Sequence, residues 1–202
     1  NDDQFYLMIE PTTGGWGASQ GKDGASSLIN NVNGSFKDLP IEVFESKYPL
    51  EIVSYGIRVD SGGAGEFRGG NGTYRHYRVL ADSQLYLWFE RSETPAWGLF
   101  DGGDGARPLV TVNTPNGNQA DYLKVNGVSV PRGTEILSRT GGGGGYGDPL
   151  QRDPESVRQD VIEKYDSVEY AKTGYGVVLD GALNVDVGET ERQRASMRAS
   201  AG

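Results

Sequence analysis

The sequence predicts a β-rich α+β fold, in which short and mostly antiparallel strands are joined by glycine-rich loops, with two helices near residues 154–172. Glycine accounts for 31 of the 202 residues and aromatic residues for 10%, a combination typical of tight turns between strands. Several short segments also alternate apolar and polar residues, as half-buried strands do. A capped helix start, Asp153-Pro154-Glu155, lies near the C-terminal end and accounts for the helical part.

The apolar segments define the expected strands. Residues 5–9 are predicted to form a core strand, because this run is too apolar for a free N-terminus. Later strands are expected over residues 50–59, 73–80, 85–89, 109–112, 122–125, 128–130 and 135–138. Turn signals lie at Asn33-Gly34, Asn116-Gly117 and Asn126-Gly127. The region 1–150 is therefore expected to be β-rich throughout.

The region 151–202 has a different pattern. The first helix carries an apolar stripe of Val157, Val161 and Tyr165, spaced as one helix face requires. A second helix is expected over residues 167–172, closed by Gly174. A terminal hairpin of residues 175–179 and 183–187 should follow, and then a polar, arginine-bearing helix or tail from residue 190.

Five consecutive glycines at positions 141–145 need a physical reason, because glycine loses more backbone entropy on folding than any other residue. A flexible linker would be padded with serine and other polar residues. Instead, a strand-like segment precedes the run and a capped helix start follows it. We therefore interpret the run as an ordered loop whose backbone lies where no Cβ would fit.

Composition and charge exclude several classes of function. A formal net charge of −9 and a pI near 4.7 argue against a nucleic-acid partner. Without cysteine the chain can form no disulfide, thiolate metal site or cysteine nucleophile. Its single histidine, His76, cannot build a histidine-rich zinc site and is expected to be structural or at the surface. No apolar run reaches 18 residues, so we expect no membrane span.

The glycine-rich loops fail the nucleotide-binding motifs. Gly21-Lys22 is followed by Asp23 instead of the hydroxyl residue of a phosphate-binding loop. A dinucleotide fingerprint would need glycine at position 68, which is Arg68, and it would open a helix instead of a strand. Asp101 and Asp104 have part of the spacing of a calcium loop, but the remaining ligand positions are missing.

Two loops nevertheless present groups that could bind or react. The first carries Trp16, Lys22 and Asp23, which are either functional or part of a structural turn. The second carries Asp60, Glu66 and Arg68, which either contact a ligand or another chain, or form an internal ion pair that braces the loop. The sequence leaves these alternatives open.

Four glycine-rich blocks occur in a fixed order, namely residues 14–24, 60–70, 97–105 and 140–154, the last followed by the segment 175–179. Together they resemble the C-terminal portion of the hydantoinase B/oxoprolinase family, and the resemblance covers residues 5–187. It implies a cytoplasmic enzyme component, part of a hetero-oligomer with an A-type subunit that binds ATP and Mg. That partner would phosphorylate the oxygen of a cyclic amide or of a ketone.

The resemblance also implies that this chain is only part of a B-type subunit. Metal ligands of the family, His and Asp, lie in the N-terminal half, so we expect the divalent metal there and no cofactor or metal on this chain. Its partners would be that N-terminal half, as a split subunit or a fragment, and the A-type subunit. Weak catalytic candidates are Asp23, Asp60 and Arg68. Candidates for substrate binding or an interface are Gly14, Gly15, Trp16, Lys22, Trp97, Gly144 and Tyr146.

Overall fold

The computed structural model describes residues 5–29 and 37–200. The strands are β1 (Leu50–Ile57), β2 (Thr73–Val79), β3 (Ser83–Trp88), β4 (Leu109–Asn113), β5 (Gln119–Tyr122), β6 (Lys124–Val130) and β7 (Glu135–Arg139). The helices are α1 (Ile41–Lys47), α2 (Pro154–Ile162), α3 (Val168–Tyr175) and α4 (Val187–Ser200). Five strands form an antiparallel sheet in the order β1-β2-β7-β4-β5, and β3 pairs with β6. The fold is α+β with antiparallel strands, as predicted.

One hydrophobic core lies between the five-stranded sheet, α1 and the two-stranded sheet. Tyr77 and Val79 in β2 are two residues apart, so both side chains point to the same face of the sheet. Phe44 of α1 and Val130 of β6 pack onto that face from the other elements. Burying an apolar side chain of this size contributes about 1.5–3 kcal/mol, so this core holds the two sheets together.

A second core lies under α2 and α3. Val157 of α2 and Tyr175 of α3 are fully buried there and pack against Ala64, which belongs to a glycine-rich loop. The Asp153 side chain caps α2 by accepting from the N–H of Glu155 at 3.3 Å, with Pro154 in the first position. These contacts fix the helical pair onto the glycine-rich part of the chain.

Residues 141–146 lie at the centre of an assembly that we call the glycine bundle, whose other members are segments 14–18, 61–72 and 97–106. Consecutive residues of the central segment form backbone hydrogen bonds with different members of the bundle. Residues three positions apart bond to the same member. Gly141 and Gly144 accept from Gly15 and Ala18, Gly142 and Gly145 donate to Ala106 and Gly103, and Gly143 and Tyr146 donate to Gly70 and Phe67, at 2.9–3.0 Å. A period of three without internal bonds is that of a polyproline II helix.

Close approach, and not a left-handed backbone, explains the run of glycines. None of residues 141–145 has a positive φ, whereas Gly147 just beyond them does, at 77°. A Cβ added to Gly143 would lie 2.6 Å from the backbone nitrogen of Gly17, and one added to Gly145 would lie 2.6 Å from the carbonyl carbon of Ala64. The run is therefore ordered and packed against backbone on its sides, as interpreted from the sequence.

The predicted N-terminal core strand is wrong. Residues 5–9 form no strand, and Phe5 and Ile9 are 85% and 80% exposed. Within the described part of the chain this segment pairs with no strand, and Met8 alone packs partly against the first core. Its apolar residues are strand-like in pattern, but strand formation also requires a hydrogen-bonded neighbour.

The strands between residues 119 and 130 differ from the prediction. The strand expected over residues 122–125 is divided in the structure between the end of β5 and the start of β6. Asn126-Gly127 is no turn, because β6 runs through it while the pairing shifts between Leu85 and Tyr86 of β3. Gly127 has a φ of 84°, so this glycine forms a β-bulge. The predicted turn at Asn116-Gly117 is confirmed by a Gly117 N–H to Thr114 carbonyl bond of 2.9 Å, and Asn33-Gly34 lies outside the described residues.

The C-terminal region also departs in detail. Helix α3 runs past Gly174 to Tyr175 and is capped by Gly176, whose φ of 64° is the left-handed conformation common at helix ends. The expected terminal hairpin is reduced to one bridge between Leu179 and Val185. The polar tail is the helix α4. Over the described residues, no helix combines the length and the apolarity needed to cross a membrane.

Replacing glycine by alanine within the central segment should destabilise the protein. Gly142→Ala, Gly143→Ala, Gly144→Ala and Gly145→Ala should each lower the free energy of unfolding by about 1 kcal/mol or more, because the new methyl group meets backbone that cannot yield. Gly141→Ala should cost less, since its Cβ would lie 3.2 Å from the nearest atom, the carbonyl oxygen of Ala106. Thermal and urea unfolding measure the order.

Gly181→Ala is the matched control, because nothing lies within 4 Å of the added Cβ. This variant should be neutral or slightly stabilising, since alanine reduces the entropy of the unfolded chain. Melting temperatures at or above the parent value for most of the central variants would identify the run as a linker.

Candidate functional site

Two of the predicted catalytic candidates, Asp23 and Arg68, meet at one place in the structure. They are joined there by Arg152, which precedes α2, and by Asp160 within α2. We call these four residues the buried ion network. It connects the N-terminal glycine loop, the loop between β1 and β2, and the helical pair.

Arg152 is the centre of the network. Its Nη1 and Nη2 atoms each donate to one carboxylate oxygen of Asp23 at 2.8 Å, which is the bidentate geometry favoured by arginine and carboxylate. Nη2 also donates to Asp160 Oδ2 at 2.8 Å, and Nη1 donates to the carbonyl of Glu66 at 3.0 Å. Arg68 completes the network by donating from Nε to Asp160 Oδ1 at 3.2 Å.

Burial makes this network energetically important. The side chains of Arg68, Arg152 and Asp160 are 6%, 7% and 10% exposed, whereas that of Asp23 is 37% exposed. Burial of the Asp23 carboxylate would raise its pKa, but its interactions with the arginines of the network outweigh burial and lower it. Burial likewise opposes the charged form of Arg152, but Asp23 and Asp160 raise its pKa above the ordinary value. Asp23 and Arg152 are therefore each held in the charged form by their partners.

The same contacts decide what the network can do chemically. Arg68 donates further to the carbonyl of Gly69 at 2.9 Å and lies 4.6 Å above the ring of Tyr165. The third candidate, Asp60, lies in another cluster, where its Oδ1 accepts from the N–H of Ser167 at 2.6 Å at the start of α3. Because these groups are engaged by internal partners, we propose that they brace the loops instead of acting on a substrate.

A second group of buried polar atoms lacks such partners. Among the described residues, neither carboxylate oxygen of Asp166 nor the hydroxyl of Tyr175 has a hydrogen-bond partner, and both residues are at most 2% exposed. Burial raises the pKa of Asp166 to about 7, although the charge of Arg68 opposes this, and Asp160 adds to the increase. Asp166 is the group of this region whose charge changes near neutral pH.

The predicted binding or interface residues divide into two sets. Gly14, Gly15 and Gly144 belong to the glycine bundle, where their backbone bonds to other segments, and Gly144 is buried. Tyr146 is half-buried between two aromatic rings, with centroid distances of 6.3 Å to Phe67 and 5.0 Å to Phe100. These four positions build the bundle and do not open onto solvent as a set.

The remaining predicted residues are at the surface. Trp16 is 43% exposed, and its Nε1 donates to the carbonyl of Ile29 at 3.2 Å. Lys22 is exposed at the tip of the same loop. Trp97 is 60% exposed and lies under the guanidinium of Arg91, 4.7 Å from the ring centroid. Tryptophan is enriched where proteins contact one another.

An open cleft of about 420 Å³ lies beside the buried ion network. Asp23, Glu66, Arg152 and Ser156 are among the residues that line it. Both Nη atoms of Arg152 are already bonded within the network, and its Nε is buried without a hydrogen-bond partner among the described residues. The cleft is polar and wide, and carboxylates line it. Over the described residues, no three His, Asp or Glu side chains are placed to hold a metal ion.

Sequence reasoning missed Arg152, Asp160 and Asp166. One signal was present for Asp160, because it lies three residues after Val157 and next to Val161, on the apolar face of α2. A charge on a buried helix face needs a buried partner. No local pattern marks Arg152 or Asp166, whose partners and surroundings come from distant segments. The role expected for His76 agrees with its position on β2, where Nε2 lies 3.3 Å from Glu135 Oε2 on β7.

Comparisons with known proteins show which proteins this chain is similar to. The family model described as hydantoinase B/oxoprolinase matches residues 1–149. The caprolactamase subunit beta of Pseudomonas jessenii is 31% identical over 97% of this chain and 35% of its own length. The acetone carboxylase alpha subunit of Xanthobacter autotrophicus is 27% identical over 94% of this chain and 30% of its own length.

A solved structure gives the same result. The crystal structure of ATP-dependent caprolactamase from Pseudomonas jessenii matches with a TM-score of 0.78 and 30% identity, over 91% of this chain and 33% of that one. The chain thus spans about a third of the length of each of these three proteins.

Removing the arginine at the centre of the ion network should destabilise the fold strongly. Arg152→Met leaves two carboxylates facing each other without their shared cation, so the free energy of unfolding should fall by about 3 kcal/mol or more. Arg152→Lys keeps the charge but loses the bidentate bond and should give an intermediate value. Urea unfolding at neutral pH measures these differences.

Arg192→Met is the matched control, because Arg192 pairs with Glu189 on the surface of α4 and its side chain is 71% exposed. Its effect should stay under about 0.5 kcal/mol. Equal losses in Arg152→Met and Arg192→Met would show that the buried network contributes nothing special.

Asp166 should make stability depend on pH. In the unfolded chain this carboxyl ionises near its ordinary pKa of 3.8, whereas in the folded protein its pKa is about 7. Raising the pH from 4 to 7 therefore ionises the unfolded state first and lowers the free energy of unfolding. Asp166→Asn removes this loss, so its melting temperature relative to the parent should rise from pH 4 to pH 7 and then level off. If the difference in melting temperature between Asp166→Asn and the parent does not change with pH, Asp166 does not have the raised pKa.

Proposed function

Because this chain belongs to the hydantoinase B/oxoprolinase family, we propose that it forms the C-terminal part of the B-type subunit of an ATP-dependent cyclic amide hydrolase. Its substrate class would be hydantoin, 5-oxoproline or lactam rings. The observation that carries this proposal is the 31% identity to caprolactamase subunit beta, which extends over 97% of the chain. The similarity to a solved caprolactamase supports the same assignment.

The proposed chemistry answers a specific difficulty of cyclic amides. Resonance makes the ring carbonyl a poor electrophile, so water does not attack it readily. Phosphorylation of the carbonyl oxygen by an A-type subunit, which would bind ATP and Mg, supplies a leaving group. Water would then add to the activated carbon on the B-type subunit, the ring C–N bond would break with the nitrogen leaving as an amine, and a second water would release phosphate from the resulting acyl phosphate to leave a carboxylate. A divalent metal would be held by the part of the subunit that this chain does not cover.

In this proposal the present chain supplies the framework. Asp23, Asp60 and Arg68 engage internal partners, and a framework role agrees with that. The exposure of Phe5, Ile9 and Trp97, at 85%, 80% and 60%, supports a hetero-oligomer, since large exposed apolar side chains are typical of surfaces that another polypeptide covers. We further propose that the complex is cytoplasmic.

A ketone carboxylase is the second candidate. The 27% identity to the acetone carboxylase alpha subunit favours it. A phosphorylated enol would then attack carbon dioxide or phosphorylated bicarbonate, and the framework role of this chain would be unchanged. A scaffold without any catalytic partner is the third candidate.

The proposal predicts that the isolated 202-residue chain has no amide hydrolase activity, whereas a complex purified through this chain has. We expect ATP hydrolysis by that complex to be stimulated by caprolactam, 5-oxoproline or hydantoin, with one ring opened for each phosphate released. Bicarbonate should make no difference. Phosphate release and product mass spectrometry provide the measurement.

Other outcomes separate the candidates. Stimulation by acetone or another ketone that requires bicarbonate would assign the carboxylase. A complex that contains no ATP-hydrolysing subunit would favour the scaffold. Robust amide hydrolysis by the isolated chain would overturn the division of roles between the subunits.

A further inference from the structure

A tight turn at residues 99–102 has an unusual residue at its tip. The N–H of Gly102 donates to the carbonyl of Leu99 at 3.1 Å, and the two residues between them have positive φ angles, 52° at Phe100 and 69° at Asp101. Positive φ at both central positions defines a type I′ turn. Such turns are dominated by glycine, asparagine and aspartate at these positions, so Phe100 is held in a backbone conformation that its side chain disfavours.

Packing within the chain does not account for this phenylalanine. The Phe100 side chain is 69% exposed, and its one ring contact within the described residues is with Tyr146, at a centroid distance of 5.0 Å. A strained residue persists where the surroundings determine it, and such residues concentrate at sites of contact and function. An exposed ring on a strained backbone therefore indicates a contact outside this chain.

The neighbours of Phe100 form with it an exposed surface of apolar side chains and one arginine. Trp97 and Leu99 are 60% and 47% exposed. Arg91 also has a positive φ, of 57°, and its guanidinium lies 4.7 Å from the Trp97 ring centroid. We call Arg91, Trp97, Leu99 and Phe100 the aromatic turn surface. Tryptophan and arginine are the residues enriched where single side chains carry most of the binding energy of an interface.

We propose that the aromatic turn surface docks the remaining part of the B-type subunit, an inference that rests on the proposed function. The chain spans about a third of the length of the caprolactamase subunit beta and of the solved caprolactamase chain, so in those proteins about twice as many residues as this chain has lie outside the matched part. The surface lies within residues 1–149, the portion that the family model matches. The face of the partner that meets Trp97, Leu99 and Phe100 is apolar.

The central variant is Phe100→Asn. Asparagine tolerates the left-handed conformation, so relief of strain and loss of the contact with Tyr146 oppose each other within the isolated chain. We expect its melting temperature to stay within about 2 °C of the parent value. Phe100→Tyr retains the ring and should behave as the parent in every measurement.

The probe is the B-type polypeptide that co-purifies with the tagged 202-residue chain from its own cells, identified by mass spectrometry and then separated. Titration calorimetry should show that Phe100→Asn weakens its binding by about tenfold or more. Trp88→Ser is the matched control, since Trp88 is 75% exposed on β3, outside the aromatic turn surface. It should bind as the parent does.

The outcomes are distinguishable. If no B-type polypeptide co-purifies with the parent chain, the proposed function fails and this inference fails with it. If the parent binds that polypeptide and Phe100→Asn binds equally well, the inference alone is overturned. A large fall in the melting temperature of Phe100→Asn would assign Phe100 to folding. Self-association of the parent that Phe100→Asn abolishes would make a second copy of this chain the occupant and would also overturn the proposal.

Discussion

The structure depends on the close approach of backbone to backbone around residues 141–145. Segments from three distant parts of the chain reach this central segment, and each contributes carbonyl or N–H groups in a repeat of three residues. Side chains cannot stabilise such an arrangement from inside, since a Cβ at Gly143 or Gly145 would overlap a neighbouring backbone. The glycine bundle is thus held internally by hydrogen bonds, which contribute about 1 kcal/mol each when made and cost more than that when buried and left unmade.

This constraint explains why the buried ion network lies where it does. A bundle without internal side chains has little apolar burial of its own, so its segments must be fixed from outside. Arg152 ties Asp23 to Asp160 of α2, and Arg68 is bonded to the same Asp160 carboxylate. The second hydrophobic core adds Ala64 from the bundle to the packing of α2 and α3. The charges that the sequence offers as catalytic candidates, Asp23 and Arg68, thus bond segments of the chain near the bundle to Arg152 and α2.

How much could be predicted from the sequence follows from the range of each interaction. The N-cap of Asp153 and the turn at Asn116-Gly117 depend on residues a few positions apart, and both are found as predicted. The bulge at Gly127 depends on the pairing of β6 with β3, so the local Asn126-Gly127 pattern predicts a turn that the structure does not contain. The apolar segment 5–9 has the pattern of a strand, but no strand among the described residues pairs with it. The role of Arg152 could not be predicted, because its partner Asp23 lies 129 positions away in the chain.

Two constraints on the choice of residue can be separated in this chain, and they have different causes. Glycine at positions 142–145 has ordinary φ values and is required by neighbouring backbone, so its reason lies within the fold. Phe100 has a left-handed φ and lies in the open, with its ring mostly in solvent. Tyr146 connects the glycine run to Phe100, because it follows Gly145 directly in the chain and its ring contacts the Phe100 ring. A rigid interior thereby fixes the position of a strained, exposed ring, which is the arrangement that preorganised contact surfaces require.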